Sequence, residues 1–147
     1  MVEEGAAADY SPYIIRTPLR LDQESGSLHF PGGGIETGQV IQLTRRDPAL
    51  ISSSAKTCAQ DLVARAGPGQ PTCVFQFDCA GRGRILFGSR SSQKIVHPLQ
   101  DELGHETPWV GFHTYGEIAP IGDQYHFHNY TVSLCALYEP SASEPEA

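Results

Sequence analysis

The stretch from residue 47 to residue 67 constrains the fold more than any other. Asp47 precedes Pro48, a side-chain N-cap followed by a residue pre-set for the first helical position. Ile51, Ala55, Cys58, Leu62 and Ala66 follow at helical spacing, and Gly67 supplies the stop. A helix with one apolar stripe is stabilised mainly by laying that stripe on another element. The surrounding chain is strand-like, so the expected partner is a sheet.

Ahead of the helix, Tyr13-Ile14-Ile15-Arg16 reads as a strand, with Pro18 marking it as an edge. Leu28-His29-Phe30 and Gln39 to Leu43 read as two more, separated by the turn residues Pro31 to Gly34 and Gly38. Behind the helix, Thr72 to Phe77 alternates Cys73, Phe75 and Phe77 on one face, then enters the polar turn Asp78 to Arg84. Ser91 to Leu103 has a second helical stripe (Ile95, Val96, Leu99, Leu103), flawed by Pro98. Inside a helix, proline removes one backbone bond, so this helix begins late or bends there. Trp109 to Tyr115 is a strand, Gly116 to Gln124 a loop, and Tyr125 to Tyr138 a long last strand. The order βββαβαββ predicts an α+β domain: one mainly antiparallel sheet with two helices packed against it. Residues 1–9 read as a flexible lead, 10–139 as the domain and 140–147, PSASEPEA, as a disordered tail.

The chain of 147 residues carries ten Lys and Arg against 17 Asp and Glu, a net charge of -7. That balance repels phosphate backbones and argues against nucleic acid. No run approaches a membrane span, and the acidic start MVEEGAAADY lacks signal-peptide character, so a cytoplasmic location is expected. Cys58, Cys73, Cys79 and Cys135 form no CxxC pair, which favours reduced thiols over disulfides.

Two polar segments hold the candidate chemistry. In the first, Cys79 sits in a turn near Arg82 and Arg84. The Cys-x5-Arg spacing of a phosphatase loop is absent, and a cysteine nucleophile would need His113 or His128 as base. The second, Trp109 to Thr131, holds His113, His126 and His128. With Glu117 these three imidazoles could surround a metal ion, but the carboxylate spacing of an HxH metal motif is missing, so no metal or cofactor is assigned. Glu117 lies at a strand end among apolar residues, where an unpaired buried carboxylate is costly. Arg82 or Arg84 from the other turn is its expected partner. Such a pair, beside Tyr115, His128 and Asn129, could clamp a small zwitterion: Glu117 taking the amine, the arginine the carboxylate.

Three ordered segments also carry a likeness. FDCAGRGRILFG (Phe77 to Gly88), WVGFHTYGEIAPIG (Trp109 to Gly122) and HFHNYTVSLCALYE (His126 to Glu139) resemble the strand and turn signatures of the FIST C-terminal domain, found in F-box and intracellular signal transduction proteins. YIIRTPL and PGGGIETGQVIQLTRRD are similar to its early strands. The residues matching its motifs are Cys79, Gly81, Arg82, Gly116, Glu117, Asn129 and Thr131. The resemblance implies a non-enzymatic sensory or scaffold domain for a small polar metabolite, an amino acid being the proposed class. It also implies a protein partner carrying an N-terminal or output domain that these residues do not include. The expected ligand-binding set is therefore Cys79, Arg82, His113, Tyr115, Glu117, His128, Asn129 and Thr131. The alternative is a module that recruits a signalling or ubiquitin-ligase partner, and a histidine metal enzyme is a third reading.

Overall fold

The computed structural model describes residues 13–121 and 123–139. The expected lead (1–9) and tail (140–147) lie outside them. Strands β1 (Arg20–Asp22) and β2 (Ser27–His29) form a short antiparallel hairpin. Helix α1 (Pro48–Ala66) follows, then β3 (Cys73–Cys79), the one-turn helix α2 (Arg84–Phe87), a 3-10 turn (Gly88–Arg90), a π-helical turn (Ser92–Val96) and α3 (His97–Leu103). The chain ends with β4 (Trp109–Thr114), β5 (Glu117–Ile121), β6 (Gln124–His128) and β7 (Val132–Leu137). The fold is α+β.

Helix α1 has the ends its sequence dictates. Asp47, in extended conformation, accepts from the N–H groups of Ala49 (2.9 Å) and Leu50 (3.1 Å), and Gly67 closes the helix at φ 80°. Its buried face is rotated from the expected stripe: Ala55 and Ala59 are fully buried, with Leu62 and Val63 packed beside them. They meet Leu99 and Leu103 of α3 and Val74 of β3 in the core, with Trp109, Leu134 and Ala136 at its margin. Two alanines on the contact face let α1 and α3 approach closely.

Pro98 sits in the first turn of α3, directly after the π-helical turn, and its missing N–H leaves one helical acceptor open. The acceptor it would have used, the Lys94 carbonyl, instead takes the Ser52 hydroxyl of α1 at 2.9 Å. The preceding residues widen into the π-helical turn, so the second helix both begins late and changes pitch.

The strands form three small sheets rather than one: β1-β2, β4-β3-β7 and β5-β6. Three of the four pairings are antiparallel, but β3 and β4 run parallel. The α2-to-α3 segment supplies the crossover that a parallel pair requires. Two expected strands are absent. Residues 13–16 form no strand; the segment is held by the Asn129 N–H, which donates to the Ile15 carbonyl (3.1 Å), and by Arg16, whose Nε donates to the Gly33 carbonyl (2.8 Å) and whose Nη1 donates to the Phe127 carbonyl. Residues 39–43 likewise pair with nothing as a strand, and Val40 is 99% exposed. Conversely, the expected loop after Gly116 contains β5, with Pro120 tolerated because β5 pairs on one side only. The expected long last strand is broken into β6 and β7 at Asn129 to Thr131, where Tyr130 adopts φ 56°. A bulky residue in the left-handed region must be held there by its surroundings. The Gly81 position lies against its ring so closely that a Cβ would be 2.0 Å from Tyr130, and the Arg46 guanidinium lies 5.1 Å from the ring centre.

A groove and two polar clusters on opposite faces of the sheet

Strand β3 decides where the polar groups go. Val74, Gln76 and Asp78 are buried toward the helices. Alternation sends Phe75, Phe77 and Cys79 to the other side. The expected apolar face was therefore the less buried one, and the two polar turns serve different faces of the sheet.

On the helix side, Arg82 turns back onto Asp78. Its Nη1 donates to Asp78 Oδ1 at 2.8 Å, and its Nη2 donates to the Ile51 carbonyl (3.3 Å) and Ser54 Oγ (3.5 Å) of α1. Arg82 is 4% exposed and Asp78 2%. Burial pushes the Asp78 carboxyl up, against the pull of Arg82 and then His113. The second oxygen, Oδ2, has no hydrogen-bond partner; His113 Nδ1 lies 3.5 Å away, and a Cβ on Gly83 would fall 2.0 Å from it. Only glycine fits at position 83, since any side chain would displace a buried carboxylate.

On the opposite side, Glu117 is 2% exposed. Its Oε1 accepts from the Thr114 hydroxyl, and its Oε2 from the Thr131 hydroxyl (3.0 Å) and backbone N–H (3.3 Å). The expected Arg82–Glu117 clamp is thus not formed: Asp78 holds the arginine and two threonines hold the glutamate. Apart from Asp78 Oδ2, each charge finds its hydrogen-bond partners on its own side of β3. Cys79 lies on the Glu117 side, its N–H donating to the Thr131 carbonyl at 3.0 Å. Burial raises the Cys79 thiol, with N–H groups of Tyr130 and Gly81 pulling the other way. It is a protonated thiol on the face away from His113. All four cysteines are free.

His128 pairs with Glu117 across β5 and β6. Its Nε2 donates to the Ala119 carbonyl at 3.3 Å, leaving Nδ1 buried without a partner. Burial lowers its basicity, so the folded protein holds a neutral ring. The sign follows directly. A folded pKa below the unfolded 6.5 contributes stability that is full above pH 6.5 and is lost as pH falls through the lower folded value. Urea titrations between pH 7.5 and 5 are expected to show this decline, and His128→Gln to flatten it; an unchanged slope in the variant would contradict the assignment. The His126 and His128 rings are 6.3 Å apart, but His113 is beside Asp78. Among the described residues no three metal-ligating side chains are grouped.

Asn129 is a clasp. Its Oδ1 accepts from the Thr17 N–H (3.1 Å), and its Nδ2 donates to the Tyr115 carbonyl (3.5 Å). The Tyr115 ring is 81% exposed and contributes only its backbone. Glu117, His128, Asn129, Thr131 and Cys79 therefore cluster as supports beneath the β6–β7 corner, while Arg82 and His113 sit across the sheet.

The corner they support faces an open groove of about 560 Å³ between α1 and β7. Arg82, Tyr130 and Thr131 line it from the sheet, with Val132 and Leu134. Helix α1 contributes Ser54, Thr57, Cys58, Asp61, Leu62 and Arg65. Of the eight expected ligand contacts only Arg82 and Thr131 line it. The missed residues had a readable signal: positions 54, 57, 58, 61, 62 and 65 form one helical stripe, polar with two apolar members, next to the core stripe. Tyr130 could have been flagged by the Asn-Tyr break between two strand patterns. Asp78 belonged to the polar turn, and its parity along β3 distinguishes it from Cys79.

A 30% identity over 137 residues relates the chain to two uncharacterised proteins of Mycobacterium tuberculosis and one of Mycobacterium bovis. The match takes in 93% of this chain and 34% of each relative, so the chain spans about a third of the length of the curated relatives it matches. No solved structure matches it. The FIST C domain profile matches residues 1–120. The chain belongs to the FIST C domain family, a family associated with signal transduction.

Proposed function

We propose that this domain is a non-enzymatic sensory module that binds a small polar ligand, an amino acid, in the groove between α1 and β7. The observation that carries the reading is the composition of that groove: opposite charges on one rim and an apolar floor. Asp61 and Arg65 are one helical turn apart and line it, yet among the described residues neither is ion-paired. They take over the clamp first expected of Glu117 and Arg82: the ligand ammonium goes to Asp61, its carboxylate to the Arg65 fork. Ser54 and Thr57 offer hydroxyls, and Leu62, Val132 and Leu134 receive an apolar side chain. The volume suits a ligand of this size. The strained Tyr130 at its edge is the kind of backbone position that persists at ligand clamps.

A thermal-shift panel of amino acids tests this. Ligand at 100 times its Kd adds about 2.7 kcal/mol, a rise of roughly 5–10 °C for a domain of this size. Arg65→Gln is expected to abolish the shift while leaving the ligand-free Tm unchanged, since Arg65 is exposed. An unmoved melting curve across the panel, or full binding by Arg65→Gln, would sink the proposal. A protein-recruiting role is favoured by a separate surface, the sheet face turned away from the helices.

A further inference from the structure

The β4-β3-β7 sheet is covered by helices on one side only. The second face presents Phe75, Phe77, Val110, Phe112, Cys135 and Leu137. Phe77 and Phe112 stack edge to face at 5.2 Å. Phe112 is 64% exposed, Val110 56% and Leu137 48%. Strand register puts no charged residue on this face, in a chain of net charge -7. Solvent-facing sides of sheets are ordinarily polar. The β5–β6 hairpin starts a second layer here but laps only the Cys79 end, through Glu117 and through Ser133 Oγ donating to the Ile118 carbonyl at 3.4 Å. Among the described residues, the outer part of the face, toward Val110 and Leu137, stays exposed.

We infer that this face docks a companion unit of the same polypeptide, of the kind that makes up the rest of the relatives' chains, and that the companion presents an uncharged apolar layer to it. Two observations choose this occupant over a second copy. The first is size. Three strands of about six residues span roughly 20 Å by 14 Å, or about 450 Å² of accessible surface once side-chain relief is included. Buried on both sides, that makes about 900 Å², within the usual range for interfaces between domains of one chain but short of the roughly 1,200 Å² at which stable free complexes begin. Tethering supplies the effective concentration that area does not. The second is architecture. The matched region is 34% of each relative, so about two thirds of each is further polypeptide available to cover this face. The inference stands independently of the groove.

Cys135 provides the probe, being exposed on the face itself. Its alkylation by iodoacetamide is followed by peptide mass, with the chain alone and with the unmatched two thirds of a Mycobacterium tuberculosis relative joined to it as one polypeptide through a flexible linker. Light scattering of the chain alone is run in parallel. The expected results are a monomer alone, an alkylation rate at Cys135 slowed about tenfold or more by the companion, and restoration of the fast rate by Phe112→Asp. Phe112→Asp places its charge on an already exposed side chain, so the variant folds; unchanged far-UV circular dichroism and Tm verify this. An unslowed Cys135 overturns the inference. So does a dimer of the chain alone that Phe112→Asp dissolves, which would make a second copy the occupant.

Discussion

Arg82→Met lowers the free energy of unfolding by about 3–5 kcal/mol, the usual cost of removing one member of a buried ion pair. The side chain keeps its length, so the loss is electrostatic rather than a cavity. Asp78 is left with a charge that burial already disfavours, and the Ile51 carbonyl and Ser54 hydroxyl each lose a donor. Two further measurements separate this from a general packing defect. The double substitution Asp78→Asn with Arg82→Met recovers most of the loss, because neither charge remains. The deficit of the single variant also narrows as the solution is acidified. Without its guanidinium the Asp78 carboxyl has a folded pKa raised further above its unfolded value, so protonation relieves the folded state first. A deficit below about 1 kcal/mol in urea denaturation, or one insensitive to acid, would show that the pair is not the buried anchor described here.

Glu117→Ala costs about 3 kcal/mol, since two threonine hydroxyls and the Thr131 N–H lose their shared acceptor inside the protein. Glu117→Gln keeps the shape and one acceptor oxygen and costs about 1–2 kcal/mol. Its value lies in what it leaves unchanged. The glutamate holds the β6–β7 corner from behind and does not line the groove, so Glu117→Gln retains the thermal response to ligand that Arg65→Gln loses. Loss of ligand response in Glu117→Gln, with Tm little changed, would return the ligand to the carboxylate.

The features legible in the sequence were those governed by neighbours along the chain. Asp47, Pro48 and Gly67 determine both ends of α1 through bonds spanning three residues or fewer. Pro98 marks a helix that starts late for the same reason. The early strands were misread because Ile14-Ile15 and Val40-Ile41 have strand composition, whereas a strand exists only where a partner's N–H and C=O groups complete the ladder. Likewise β5 was hidden by Pro120, which a one-sided hairpin tolerates. The site was half legible. Arg82, Glu117 and Thr131 each anchor structure at the groove or beneath it, but the pairing of Arg82 with Glu117 failed on parity. A strand turns over with every residue, and Asp78, one position before Cys79, is the acid on the arginine's side. The apolar stripe Ala55, Cys58 and Leu62 hides the groove's helical wall: Ala55 joins Ala59 in the core with Leu62 packed at its margin, while Cys58 and Leu62 also line the groove.

The central position of β3 governs when this fold can come into being. Both of its neighbours lie downstream: β4 begins 30 residues and β7 about 53 residues after the end of β3. As the chain leaves the ribosome, the α1–α3 helical layer can assemble while β3 still lacks its antiparallel partner. Cys73 to Asp78, with two phenylalanines among them, stays unpaired along that edge until Val132 to Leu137 arrives. The last strand made is therefore the one that closes the sheet. A ribosome stalled before β7 would hold an apolar edge open to other chains.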